Sequence, residues 1–307
     1  MRRILYMAVL ALFLTPLVAV AEKPDFIVDA EWLEMRIDNP DLVVLEVRYH
    51  PHRYYTVGHI PGAVQVQRFK DLGDNSRFPL MHFPGRETFQ ATLRGWGVND
   101  DSTVVIYDDS VTALASRLYF LLDLYGFDME RVKVLEGGTN EWTAFNELST
   151  ETPEVTTGNV TLSEADESLV VEWQAIYDDV VSRRDDGVVL LDSRPEAQYS
   201  GEAISGAPRG GHIPGAVNIV SLRGADTETH MWHGLDRLEA LYADLPKDSA
   251  IYVYCHDGFR MTMAYMQLKA LGYEDVRLYD GGWSHWGRAL SLPVVEGPNP
   301  YDDDFNL

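Results

Sequence analysis

The feature that most constrains this chain is that it repeats itself. His59-Ile60-Pro61-Gly62-Ala63-Val64 recurs as His212-Ile213-Pro214-Gly215-Ala216-Val217. Asp101-Ser102 with the run Thr103–Tyr107 recurs as Asp248-Ser249 with Ala250–Tyr254. Leu135-Glu136-Gly137-Gly138, with Trp142 beyond it, recurs as Tyr279-Asp280-Gly281-Gly282 with Trp286, and Glu31-Trp32 recurs as Glu172-Trp173. Four pairs in the same order are a duplication, not chance likeness of short turns. The spacing drifts from pair to pair, as it would in two copies whose loops changed independently. A chain of 307 residues is also long enough for two domains, each with its own core.

Each copy alternates strand-like and helix-like patterns. Apolar runs at Leu42–Val47, Val104–Tyr107, Val188–Asp192 and Ile251–Tyr254 read as buried parallel strands. Leu235–Leu245 and Arg260–Leu271 read as helices, the second stopped by Gly272. The expected fold class is α/β: two tandem domains, each a parallel sheet flanked by helices. The expected boundaries are residues 22–148 and 168–300. Residues 149–167, rich in Thr, Ser, Glu, Pro and Gly, read as the linker. The polar stretch from Gly297 reads as a loose end, with an acidic tail over 301–307.

Residues 1–21 read as a signal peptide. Arg2-Arg3 precede an apolar run, Ile4–Val20, and Ala19-Val20-Ala21 forms a small-x-small cleavage site before Glu22. The run is short for a membrane span and Pro16 interrupts it. The expectation is a chain exported to the periplasm, with no stable membrane insertion after cleavage. Asp and Glu number 48 against 25 Lys and Arg, a net charge of −23. Such a chain does not coat nucleic acid or anionic lipid by charge.

The chain has one cysteine. That excludes an intrachain disulfide and a zinc site built on several thiolates. His50 with His52, and His230 with His233, are spaced like metal ligands but have no further ligand set, so no metal and no cofactor is expected. Cys255 closes the apolar run Ile251–Tyr254 and opens the turn His256-Asp257-Gly258-Phe259, after which Arg260 starts a helical pattern. In an open parallel sheet, sites form at the carboxyl ends of strands. There a thiol faces the amides of the loop and the positive end of the next helix. Such amides make an anion nest, which favours a thiolate and would cradle an anion attached to it. Gly258 supplies the positive φ that a nest commonly needs, and Arg260 adds charge. The alternative is a buried, inert thiol, as free cysteines often are.

The chain resembles the tandem-domain rhodanese-like sulfurtransferases over nearly all its mature length. The residues that carry the likeness are the Cys255–Arg260 loop, both His-Ile-Pro-Gly-Ala turns, Asp192-Ser193-Arg194, Gly281-Gly282-Trp283 and the duplication. The resemblance implies an enzyme in which Cys255 takes a sulfane sulfur from a small donor, thiosulfate or 3-mercaptopyruvate. The resulting persulfide yields that sulfur to cyanide or a thiol. It also implies that the second copy is catalytic and the first degenerate. The position matching Cys255 is Asp108, and the loop Asp109-Ser110-Val111-Thr112 lacks both the glycine and the arginine.

The loop departs from both donor types of the family. Thiosulfate users resemble one another in basic residues after the cysteine, and mercaptopyruvate users in a Cys-Gly-Ser-Gly-type loop. Here His256 and Asp257 follow. A carboxylate at Asp257 disfavours a dianionic donor, and His256 could offset it if charged. Alternatively only the amides of these two residues matter. The expected substrate-binding set is therefore His256, Asp257, Gly258, Phe259, Arg260 and Arg194. Arg194 follows a strand and lies, by resemblance, near the donor; the alternative is an ion pair with Asp192 or Glu196. Arg209 is a weaker candidate. His59 and His212, equivalent in both copies, read as structural. Two other functions compete: a persulfide carrier or binding module without turnover, and a cysteine phosphatase or arsenate reductase. The second is disfavoured because such loops place five residues between cysteine and arginine, and here there are four.

Overall fold

The computed structural model describes residues 22–301. The N-terminal apolar run with its cleavage site, and residues 302–307, lie outside them. The first domain holds a five-stranded parallel sheet of β1 (Ile27–Val28), β2 (Leu42–Val47), β3 (Val64–Val66), β4 (Thr103–Asp108) and β5 (Val132–Leu135), in the order β1-β5-β4-β2-β3. The second holds β6 (Val188–Asp192), β7 (Val217–Asn218), β8 (Ala250–Tyr254) and β9 (Val276–Leu278), all parallel, in the order β7-β6-β8-β9. The central strands are the apolar runs of the sequence, because a parallel strand covered on both faces needs apolar side chains on both. Pairing of Leu42 with Thr103 through Val47 with Asp108 matches pairing of Val188 with Ala250 through Asp192 with Tyr254. Both sheets therefore end level, with Asp108 on one and Cys255, the next residue after β8, on the other.

The domains meet through two helices, Ala115–Leu124 and Arg260–Ala270, each following the central strand of its own sheet. Residues 115–122 and 261–268 are buried throughout, as expected of helices covered on all sides. Phe120 meets Tyr265 edge-on with ring centroids 5.0 Å apart, the Tyr265 hydroxyl donates to Asp123 Oδ2 at 2.6 Å, and the Ser116 and Thr262 hydroxyls are 2.9 Å apart. One hydrophobic core runs from Leu45 and Phe120 to Met266 and Leu278 across both domains.

Three sequence expectations need adjustment. The segment 149–167 is a fastened strap. Val160 and Leu162 are buried in the shared core, and main-chain bonds tie Gly158 to Arg94 (2.8 Å), Ser163 to Tyr125 (2.9 Å) and Asp166 to Leu124 (2.8 Å). The end of the chain is docked as far as Tyr301: Gly215 N–H donates to Pro300 O at 2.7 Å, and Tyr301 donates to Val180 O at 3.0 Å. The helix from Leu235 stops at Leu241, with Tyr242 as its C-cap, and Pro246 keeps Leu245 out of the helical region. Among the described residues no helix is long and apolar enough to cross a membrane.

Candidate functional site

The two domains repeat more than their sheets. In the first, Arg48 is ion-paired with Glu46 and donates to Gly58 O at 3.0 Å. In the second, Arg194 donates to both oxygens of Asp192 (Nε at 2.9 Å, Nη2 at 2.5 Å) and to Gly211 O at 2.8 Å. All four side chains are buried. His59 lies flat on Tyr54 and His212 on Tyr199, each with ring centroids 3.7 Å apart. Ile60 N–H donates to the Tyr107 hydroxyl at 3.0 Å, and Ile213 N–H to that of Tyr254 at 3.2 Å. Whatever occurs in both domains supports the fold and cannot account for chemistry that only one can perform.

Arg194 takes the alternative that the sequence left open. It lies under the loop, 1% exposed, locked to Asp192 as the alternative reading allowed. Burial alone would lower its pKa, but the Asp192 carboxylate and the Tyr254 hydroxyl together more than reverse this and leave it raised. Arg209 is also structural. Its guanidinium gathers the carbonyls of Trp286, Gly287, Ala289 and Leu292 at 2.6–3.1 Å, closing the end of the helix Gly282–Trp286.

What differs between the domains is the loop after the central strand. In the first, the Asp108 carboxylate accepts four main-chain N–H groups, from Ser110 and Thr112 at 2.9 Å, Leu114 at 2.7 Å and Ala115 at 2.9 Å. Burial raises its pKa and these amides pull it back part of the way. The loop is thus a nest already filled by a carboxylate of its own chain. In the second, Cys255 stands in its place. Its Sγ accepts Gly258 N–H at 3.1 Å and is closed to solvent. Gly258 has φ +96°, a conformation that favours glycine.

The Gly-Gly turn braces the loop from below. Trp283 N–H donates to Cys255 O at 2.8 Å and Ser284 N–H to His256 O at 3.1 Å. A Cβ on Gly282 would lie 2.8 Å from both carbonyls, so a side chain there would push the loop away.

A cleft of about 410 Å³ opens beside the loop. His256, Asp257, Ser284 and Arg288 form its second-domain wall; Phe69, Phe78, Leu80 and Met81 form the first-domain wall. Phe69, Phe78 and Leu80 are about half exposed or more. Burial lowers the His256 pKa; Asp257 opposes this, while Arg194, Arg260 and Arg288 lower it further. The imidazole is therefore neutral at neutral pH and does not offset Asp257. Arg260 reaches Gln198 Oε1 at 3.3 Å, and Phe259 is buried against Phe69. Among the described residues no group of side chains could hold a metal ion.

A family model for the rhodanese-like domain matches residues 29–145 and again 177–289. The chain belongs to the rhodanese family. It is 34% identical to the thiosulfate sulfurtransferase of Corynebacterium glutamicum over 290 residues, covering 90% of this chain and 92% of that one. It is 31% identical to the 3-mercaptopyruvate sulfurtransferase of Escherichia coli K12 over 286 residues, covering 87% and 96%. The crystal structure of SseA from Escherichia coli superposes with a TM-score of 0.73 at 27% identity, covering 84% of this chain and 98% of that one. The tandem rhodanese architecture is thus shared along both domains.

Sequence reasoning missed the first-domain wall of the cleft and one cation. Arg117, in the helix Ala115–Leu124, is fully buried, and a Cβ on Gly258 would lie 2.0 Å from its Nη1. The signal was present as an arginine at the head of the apolar run Leu118–Leu122.

Proposed function

We infer that the chain is a sulfurtransferase that works by double displacement through Cys255. The observation that carries this is the sulfur itself: Sγ rests on the Gly258 amide at the carboxyl end of β8, where the other domain seats a carboxylate on four amides. With thiosulfate, the thiolate attacks the outer sulfur, one S–S bond forms as another breaks, and the electron pair leaves with sulfite. With 3-mercaptopyruvate, the S–S bond forms as the C–S bond breaks, and the pair goes to carbon, which takes up the proton to give pyruvate. The acceptor, cyanide or a thiol, then attacks the outer sulfur and releases Cys255 as thiolate. This is covalent catalysis with ping-pong kinetics, its rates set by thiolate fraction and leaving group.

The cleft favours a monoanionic organic thiol such as 3-mercaptopyruvate over dianionic thiosulfate. Asp257 lines it, His256 is neutral, and Arg194 is committed to Asp192. Arg288, which donates to Gly206 O and lies over the Phe78 ring, is the guanidinium on the cleft wall, one cation for one carboxylate, while Leu80 offers apolar surface to the methylene.

Intact mass after each donor, beside Cys255→Ser, is the test. The expected result is one added sulfur, removed by cyanide, faster with 3-mercaptopyruvate, and none in the variant. No loading by either donor overturns the reading. Export to the periplasm is proposed from the N-terminal pattern. Periplasmic protein beginning at Glu22 is expected; cytoplasmic protein beginning at Met1 counts against it.

A further inference from the structure

Arg117 is a cation in an unusual position. Its Nε donates to Leu72 O at 2.7 Å, and its Nη2 to Met81 O at 2.6 Å and His82 O at 3.3 Å. All three acceptors are main-chain carbonyls, none a carboxylate. Nη1 is buried and has no hydrogen-bond partner among the described residues. An arginine buried without a paired anion is costly enough that such groups are normally paired. The anionic groups that act on Arg117 are Asp280, Asp257 and Cys255.

Its free arm points at the active loop. The space beyond Gly258 Cα, where any other residue would carry a side chain, is filled by Nη1. Gly258 is also the residue whose amide holds Sγ. Phe259, next in the loop, has its ring 5.4 Å from the same guanidinium. The side chain thus packs on the second-domain turn that holds the sulfur. It also fixes the first-domain residue Met81 that walls the cleft.

We propose that Arg117, supplied by the domain without a cysteine, is the counter-cation and positioning residue for the negative charge carried by Cys255. It acts through Gly258 and does not touch the donor. When Cys255 is a thiolate or persulfide, the guanidinium, which hydrogen-bonds no carboxylate, gains an anion on the turn it packs against, beside the more distant influence of Asp280 and Asp257. This deepens the sulfurtransferase reading and rests on it for the persulfide. The effect on the thiolate stands without it.

Other charged groups surround the loop. Asp257 and His256 are on it, Arg260 begins the next helix, and Arg194 with Asp192 lies beneath. Asp280 precedes the Gly-Gly turn and pairs with His82 at 2.8 Å, and Arg288 is on the cleft wall. All of these stay unchanged in the comparison that follows.

The test is the pH dependence of Cys255 alkylation by iodoacetamide in the wild type, Arg117→Lys and Arg117→Gln. Sulfur loading by 3-mercaptopyruvate and thiosulfate is measured in parallel. A unit charge nearby moves a titration by about one pH unit or more. The expected result is an alkylation profile displaced upward by about one unit in Arg117→Gln, largely restored in Arg117→Lys, with loading slowed roughly tenfold in the first. Equal profiles in all three folded proteins, or equal displacement in both variants, overturns the proposal. If neither variant folds, the Arg117 Nη proton resonances of the wild type decide: they move when cyanide unloads the sulfur, or the proposal fails. A wild type that alkylates but never loads sulfur overturns the sulfurtransferase reading and leaves the alkylation comparison to judge Arg117.

Discussion

Arg194 and Asp192 stand two residues apart and are bound through both carboxylate oxygens, with neither side chain open to solvent. Glu46 and Arg48 make the same buried ion pair in the domain that has no cysteine. The pair is a fastening between the end of a strand and the turn that follows.

Arg194→Ala should therefore cost stability before it costs affinity. Breaking one partner of a buried pair typically costs about 3–5 kcal/mol, since the other charge is left unpaired. Urea unfolding should show a large drop in midpoint. Whatever folded enzyme remains should keep a near-normal KM for the donor. A stable variant with a raised KM would restore Arg194 to the donor site.

Gly258 should tolerate no side chain. Positive φ at a non-glycine residue costs of order 1–3 kcal/mol, and here a Cβ would also meet Arg117 Nη1 at 2.0 Å. Each 1.4 kcal/mol is about tenfold in rate. Gly258→Ala should slow sulfur loading by roughly ten- to a hundredfold, read by intact mass against time, while the protein still melts cooperatively. Loading at the wild-type rate would mean that the turn is softer than its contacts suggest.

Asp257 sets the charge that an anionic donor meets. Asp257→Lys should raise kcat/KM for thiosulfate several-fold and change that for 3-mercaptopyruvate less. In the wild type, moderate salt should raise kcat/KM for thiosulfate, because the net charge of −23 repels the donor and screening acts within about 10 Å at 0.1 M. A falling salt profile would show that the cleft is locally positive.

Glu141 gives a pH signature in stability. Burial pushes its pKa up to about 7, and the Glu136 and Asp29 carboxylates add to this. The folded protein then holds a proton between about pH 4.5 and 7 that the unfolded chain releases. Its contribution is fully present below pH 4.5 and is lost as pH rises through 7. Glu141→Gln keeps the acceptor for Ala30 N–H, met at 3.1 Å in the wild type, and removes the titration. The variant should melt a few degrees higher than wild type at pH 8 and match it near pH 4.5. Parallel melting curves across that range would refute the assignment.

The fold was legible because its central strands are mostly apolar runs and because each domain certifies the other. The cysteine loop was legible for a local reason: strand, thiol, glycine and helix start lie within ten residues. The Arg194 ion pair was legible as one of two readings, and Glu46 with Arg48 repeats its pattern in the domain without a cysteine. The segment 149–167 was legible as the linker, but not its docking, because its polar residues outnumber Val160 and Leu162, the two that are buried. Arg117 and the wall of Phe69, Phe78 and Leu80 could not be placed from the sequence. They meet the loop only across an interface between segments more than a hundred residues apart.

Asp108 gives the duplication a mechanical sense. Its carboxylate permanently occupies the nest that its domain inherited, so that loop is always braced, whatever the solution contains. The loop at Cys255 has a single amide on its sulfur and is held instead through its carbonyls, by the Trp283 and Ser284 amides. The two are joined by helices packed face to face, so a loop closed on its own carboxylate stands behind one whose amide faces a thiol.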